Sequence, residues 1–146
     1  MDSEDRLREQ LRKIEALFAG AATAGERAAA NAAAERIRAR LKQSERVEPA
    51  IEVRFSIPDP WARQLFSALC RRYGLNPYRY RRMRRQSLVV RAPQSFLDTV
   101  LWPEFQALNR ALSAYLAEVT ERVIREAVHQ DTAEAEEVDE PPRLGA

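Results

Sequence analysis

IEVRFSIPDPWARQLFSALCRRYG, residues 51–74, changes its apolar period once, from two to about 3.6, and so commits the chain to mixing sheet with helix. Ile51, Val53, Phe55 and Ile57 alternate with Glu52, Arg54 and Ser56, the pattern of a strand with one buried face. Pro58 ends the strand. Asp59 can cap the free amides of a following helix, and Pro60 is pre-set for its first turn. Trp61, Leu65, Phe66, Leu69, Cys70 and Tyr73 then form an apolar stripe that Gly74 stops.

Downstream, Tyr78–Arg82 and Ser87–Ala92 read as two short strands around a turn at Met83–Gln86, with Tyr78, Tyr80, Leu88 and Val90 facing the helices. A helix opens at Pro93–Ser95 and carries Phe96, Val100, Leu101 and Trp102, and Pro103 should kink or restart it. Phe105, Leu108, Leu112, Tyr115, Leu116, Val119 and Val123 continue the helical period, predicting a long helix over Phe105–Val128. Residues 131–146 hold six acids, one arginine and two adjacent prolines, a composition that predicts a disordered tail.

Upstream, Leu7, Leu11, Ile14, Leu17 and Phe18 place an amphipathic helix over residues 3–19. Thr23 and Glu26 have the spacing of a capping box at the start of a second, alanine-rich helix anchored by Ile37 and Leu41. The expected fold is α+β: an antiparallel helical hairpin (1–43), a linker (44–50), an α+β domain (51–130) and an acidic tail (131–146). Within the domain the order is β-α-β-β-α, with a small three-stranded sheet and a long C-terminal helix.

Lys13-Ile14-Glu15-Ala16-Leu17-Phe18, then Thr23, Gly25-Glu26-Arg27-Ala28-Ala29 and Ala34-Glu35-Arg36-Ile37, resemble a family of bacterial and phage proteins with an N-terminal helical hairpin, catalogued as a domain of unknown function. Pro60-Trp61 opening a helix, the two strands and Phe96 entering a helix follow in a similar order, so the resemblance covers roughly residues 8–120. The arginine-packed segment after Tyr78 departs from it. The resemblance implies a fold and no activity.

One cysteine, Cys70, and one histidine, His129, exclude an internal disulfide, a multi-cysteine metal site and most acid-base constellations. No glycine-rich phosphate loop is present. The expectation is a non-enzymatic protein without metal or cofactor, in which Cys70 is a buried structural thiol and His129 has no chemical role. Glu118, Glu121 and Glu126 interleave with Arg122 and Arg125 as ordinary helix-surface pairs. The charged N-terminus MDSEDRLREQ and the lack of any apolar run near 18 residues predict no membrane span and a cytoplasmic location.

Charge is distributed unevenly. Pro60–Leu97 carries nine of the 24 basic residues, all arginine, and none of the 22 acids, where an even spread would put roughly six acids. This +9 segment leaves −7 on the remainder of a chain whose total is +2. If the two strands pair, Arg79, Arg81 and Arg91 point outward while Arg82, Arg84 and Arg85 crowd the turn, and Arg71 and Arg72 close the preceding helix. Guanidinium groups match phosphate geometry, so an arginine-rich hairpin built from these eight residues points to nucleic acid as partner. A solvated basic face from an arginine-biased composition is the bland alternative. The same ribbon also suits an acidic protein surface, the chain's own acidic tail or anionic lipid. A competing function is an adaptor that self-associates, as a homodimer, through Phe105–Val128 with Trp102 and Tyr115 at the interface.

Overall fold

The computed structural model describes residues 23–144. The expected helix over residues 3–19, and therefore its pairing in the hairpin 1–43, lies outside the described residues. The second helix, α1 (Ala24–Val47), begins where Thr23 Oγ1 accepts the Glu26 amide at 3.1 Å. It runs past the expected end near Leu41, and Ser44–Val47, read as the start of a linker, form its last turn. The reason lies in Pro49: nothing in Gln43-Ser44-Glu45-Arg46 opposes a helix, whereas a proline disfavours helical geometry at the residue before it. The chain leaves the helix at Glu48, whose amide donates to the Ser44 carbonyl at 2.8 Å.

Strand β1 (Ile51–Ser56) and helix α2 (Pro60–Arg72) follow as the opening stretch requires, with Asp59 Oδ1 accepting the Trp61 amide at 3.2 Å. Gly74, at φ 78°, ends α2 in a Schellman motif: its amide donates to Arg71 and that of Leu75 to Cys70, at 3.0 and 2.9 Å. Leu75 is thereby turned inward and buried.

Strand β2 (Ser87–Ala92) pairs antiparallel with β1, from Ile51 opposite Ala92 to Ser56 opposite Ser87. Among the described residues the sheet has these two strands, not three. The expected strand Tyr78–Arg82 shrinks to one bridge, in which Tyr78 and Val89 exchange backbone hydrogen bonds of 2.9 and 2.7 Å. Before Tyr78 no further bridge to β2 forms among the described residues. On the other side the chain turns: the Met83 amide reaches the Tyr80 carbonyl at 3.2 Å, the Tyr80 amide meets the Met83 sulfur, and Arg82 takes a left-handed φ of 72°. Residues 79–86 are a loop pinned to β2 by one bridge, which corrects the arginine-rich β-hairpin.

After β2 come a single α-turn, α3 (Gln94–Phe96), a π-helical turn (Leu97–Leu101) and the long helix α4 (Trp102–Ala127). The π-turn answers Pro103. A proline ring collides with the carbonyl four residues back, and a wider turn, in which the Trp102 amide donates to Leu97, moves the backbone aside without ending the helix. Pro93 offers no side-chain cap to α3. Glu48 supplies one from across the fold, its carboxylate accepting both the Ser95 amide, at 3.1 Å, and the Ser95 hydroxyl.

The chain divides into two units, up to Ala114 and from Tyr115 onward. In the first, Ala62, Phe66, Leu69 and Cys70 of α2 face the inner side of the sheet (Leu88, Val90, Ala92) together with Phe96, Leu97, Leu101 and Phe105. Ala34 and Leu41 bring α1 into the same core. Phe66, fully buried, is its centre: Phe55, Trp102 and Phe105 ring it with centroids 4.9–6.2 Å away. Trp61, read as part of the apolar stripe, is instead 60% exposed. In the second unit the final turns of α4 carry the expected pairs Glu118–Arg122 and Glu121–Arg125, at 3.3 and 3.6 Å. His129 is exposed and accepts the Asp131 amide at Nδ1, 2.9 Å away. Residues 129–144 form no helix or strand.

Candidate functional site

The sheet has one face on the core and one turned away from it, and register assigns the residues of each. Glu52 sits opposite Arg91 and Arg54 opposite Val89 on the outward side, while Val53 and Phe55 face inward with Val90 and Leu88. Because the two residues of an antiparallel bridge project to the same side, Tyr78 shares the outward side with Val89. This reverses the expected inward orientation of Tyr78 and Tyr80. The loop's register on β2, set at Tyr78–Val89, decides the face, and a shift of one residue flips every side chain.

The two tyrosines lie across the sheet with both hydroxyls donating to Glu52 Oε1, Tyr78 at 2.5 Å. Their rings meet edge to face with centroids 5.6 Å apart. Val89, although on the outward side, is completely buried, while Tyr80 is 45% exposed. The hydroxyl bonds hold the Glu52 carboxyl below the ordinary carboxylate range, and Arg91 and Arg54 act in the same direction. The same bonds push both phenols above their ordinary range, Tyr78 strongly.

The eight arginines singled out by sequence separate into three groups. Arg72 and Arg79 are spent on the protein itself: Arg72 Nη2 donates to the Ala30 carbonyl at 3.0 Å, and Arg79 donates to Ser87 and Arg85 carbonyls at 2.8 Å each. Arg71 is exposed at the end of α2, and Arg91 is exposed on the outward side of the sheet beside Glu52. Arg81, Arg82, Arg84 and Arg85 are all exposed on one short loop, and none is in an ion pair among the described residues. Their close spacing repels, and the loop holds because Arg79 and the Tyr78 bridge tie both of its ends to β2.

Sequence reasoning leaves Arg54 and Glu52 out of this surface, and it weighs Tyr78 and Tyr80 as base-stacking residues but favours the core for them. The alternation of β1 already placed Arg54 and Glu52 on its polar side, but which segment lies over that side depends on the bridge register.

A concavity of about 460 Å³ lies between the end of β1 and α4, lined by Ile57, Pro58, Ala62, Trp102, Phe105 and Asn109 among others. Asn109 Oδ1 is buried there with no hydrogen-bond partner among the described residues. Ser56 and Asp59 also line the concavity, and both are engaged: Ser56 Oγ accepts from Gln86 Nε2 at 3.1 Å and Asp59 Oδ1 accepts the Trp61 amide. Cys70 is fully buried and burial pushes its thiol up to about 12, which keeps it protonated and unreactive. Among the described residues no group of three His, Cys, Asp or Glu side chains could hold a metal ion, and no helix is long and apolar enough to cross a membrane.

No protein-family model matches the chain, no curated protein aligns with it, and no solved structure matches its fold.

Proposed function

We propose that this protein binds nucleic acid through the arginine loop, residues 79–86, and the adjoining outward side of the sheet, as a binding activity and not a catalytic one. The observation that carries the reading is the presentation of Arg81, Arg82, Arg84 and Arg85 on a loop braced by Arg79, without ion-pair partners among the described residues. Guanidinium groups held this way meet phosphates in paired hydrogen bonds, and the ordering of the loop is already complete before a partner arrives. Arg82 adds a second support. A left-handed backbone at a residue with a side chain costs about 1 kcal/mol, strain of a kind that collects at binding surfaces.

The test is binding to a labelled oligonucleotide across a salt series. Five phosphate contacts, from the four loop arginines and Arg91, give a slope near −4.5 on duplex DNA, so affinity should fall by roughly several hundredfold between about 50 and 200 mM salt. The variant Arg81→Glu/Arg84→Glu/Arg85→Glu, with folding checked by circular dichroism, should lose binding. Equal affinity in the folded variant overturns the reading. Equal displacement by polyglutamate and by unlabelled oligonucleotide would also overturn it, because charge alone would then account for binding.

A further inference from the structure

The outward side of the sheet presents two tyrosine rings among cations, and a double helix has no use for them. Bases in a duplex are stacked on both faces, whereas an unpaired base has two faces to offer. We propose that Tyr80, set by Tyr78 and Glu52, is a stacking platform for a base, and that the partner is single-stranded nucleic acid; this rests on the nucleic-acid reading above and names its substrate class.

Three relationships carry the inference. Tyr80 is 45% exposed, although an amphipathic ring of this size usually gains by burial. Its orientation is fixed at both ends: the hydroxyl donates to Glu52, and the ring meets Tyr78 edge to face at 5.6 Å, an arrangement that leaves ring surface uncovered. Cations border it, since Arg54 lies near enough to the Tyr80 hydroxyl to act on its ionisation and the loop arginines begin at the next residue, Arg81. A flat π-surface beside guanidinium groups takes a base and its phosphate together. Glu52 keeps the platform ordered by accepting both tyrosine hydroxyls.

The experiment compares one labelled oligonucleotide as a single strand and as its duplex, with the full chain, by fluorescence anisotropy at fixed salt. Tyr80→Leu keeps apolar bulk and removes the π-face, and Tyr80→Phe keeps the ring and removes the hydroxyl. The single strand should bind tighter than the duplex. Tyr80→Leu should weaken the single strand by roughly five- to 150-fold and the duplex by much less, while Tyr80→Phe stays within about threefold of the wild type on the single strand. A 2-aminopurine base in the strand should lose emission on binding to wild type and regain it with Tyr80→Leu. If Tyr80→Leu, shown folded by circular dichroism, binds the single strand as the wild type does, the platform is overturned; loss of binding in the triple arginine variant would then still uphold the loop. If no oligonucleotide binds, both fall together.

Discussion

Arg38 and Arg72 hook α1 to the end of α2 in both directions: Arg38 Nε donates to the Arg72 carbonyl at 2.5 Å, and Arg72 Nη2 donates to the Ala30 carbonyl at 3.0 Å. The carbonyl taken up by Arg38 belongs to the last turn of α2, where helix geometry leaves acceptors unpaired. One arginine caps a helix of the neighbouring element while a second returns the contact. Since Ala34 and Leu41 are the buried side chains of α1, this hook matters to how α1 is held. Arg38→Met keeps the aliphatic stem and should lower stability by about 1–2 kcal/mol in urea unfolding. Arg72→Met, which leaves the carbonyl that Arg38 uses, should cost a similar amount, and the double variant should cost less than the two combined, because both contacts restrain the same pair of helices.

Gly74 isolates a backbone effect. A Cβ at this position would touch nothing within 4 Å, yet its φ of 78° is one that side chains resist. Gly74→Ala should therefore destabilise by about 1 kcal/mol, and Gly74→Asn by less, since asparagine tolerates left-handed geometry. Equal stability of all three proteins in thermal or urea unfolding would mean that the Schellman turn relaxes.

Cys70 should be silent toward a thiol reagent in the native protein and react at once in denaturant, because the group is fully buried and its thiol is pushed up to about 12 by burial. Cys70→Ala should be mild, whereas Cys70→Ser places a hydroxyl in the core and should cost about 1–3 kcal/mol unless it finds a partner.

Much of this architecture was legible in the residues. Period-two alternation at Ile51–Ile57, the Asp59-Pro60 cap and Gly74 each act through neighbours in the chain, and each does what its chemistry requires. The inward facing of Leu88 and Val90 was equally readable, since both ends of β2 fix its phase. The third strand failed for a reason that alternation cannot encode: Tyr78-Arg79-Tyr80 alternates as a strand does, but the Tyr80–Met83 turn carries the chain away from β2 after one bridge. From that single bridge followed the reversal of both tyrosines. The arginines show the same limit. Charge alone could not separate Arg72 and Arg79, which satisfy backbone carbonyls, from Arg81, Arg82, Arg84 and Arg85, which do not.

The Glu52 brace predicts pH dependence at both extremes. Tyr78 first, then Tyr80, hold the Glu52 carboxyl below its ordinary 4.5, so the stabilisation is present above that value and is lost as pH falls through the lowered folded value. The phenol of Tyr78 is pushed above its ordinary 10.0 by the bond to Glu52 and then by burial, so this side is intact below 10.0 and fails as pH rises toward the folded value. In an absorbance titration at about 295 nm, Glu52→Gln should bring the Tyr78 and Tyr80 ionisations to lower pH. Tyr73, pushed up by burial and by its hydroxyl bond to Glu104, should not move. An unchanged titration in Glu52→Gln would mean that the hydroxyls do not converge on this carboxylate in solution.

Arg82 separates stability from binding. Its φ of 72° is left-handed, and a glycine at the same place carries no Cβ penalty. Arg82→Gly should leave the fold as stable as the wild type or up to about 1 kcal/mol more so, while removing one cation from the loop. Oligonucleotide affinity should fall, and the slope of log affinity against log salt should become shallower by about one on duplex DNA or somewhat less on a single strand. A variant that gains stability and loses affinity identifies Arg82 as strain kept for the sake of its charge. One that loses stability with no change in the salt slope would place Arg82 among the arginines that serve the fold, alongside Arg72 and Arg79.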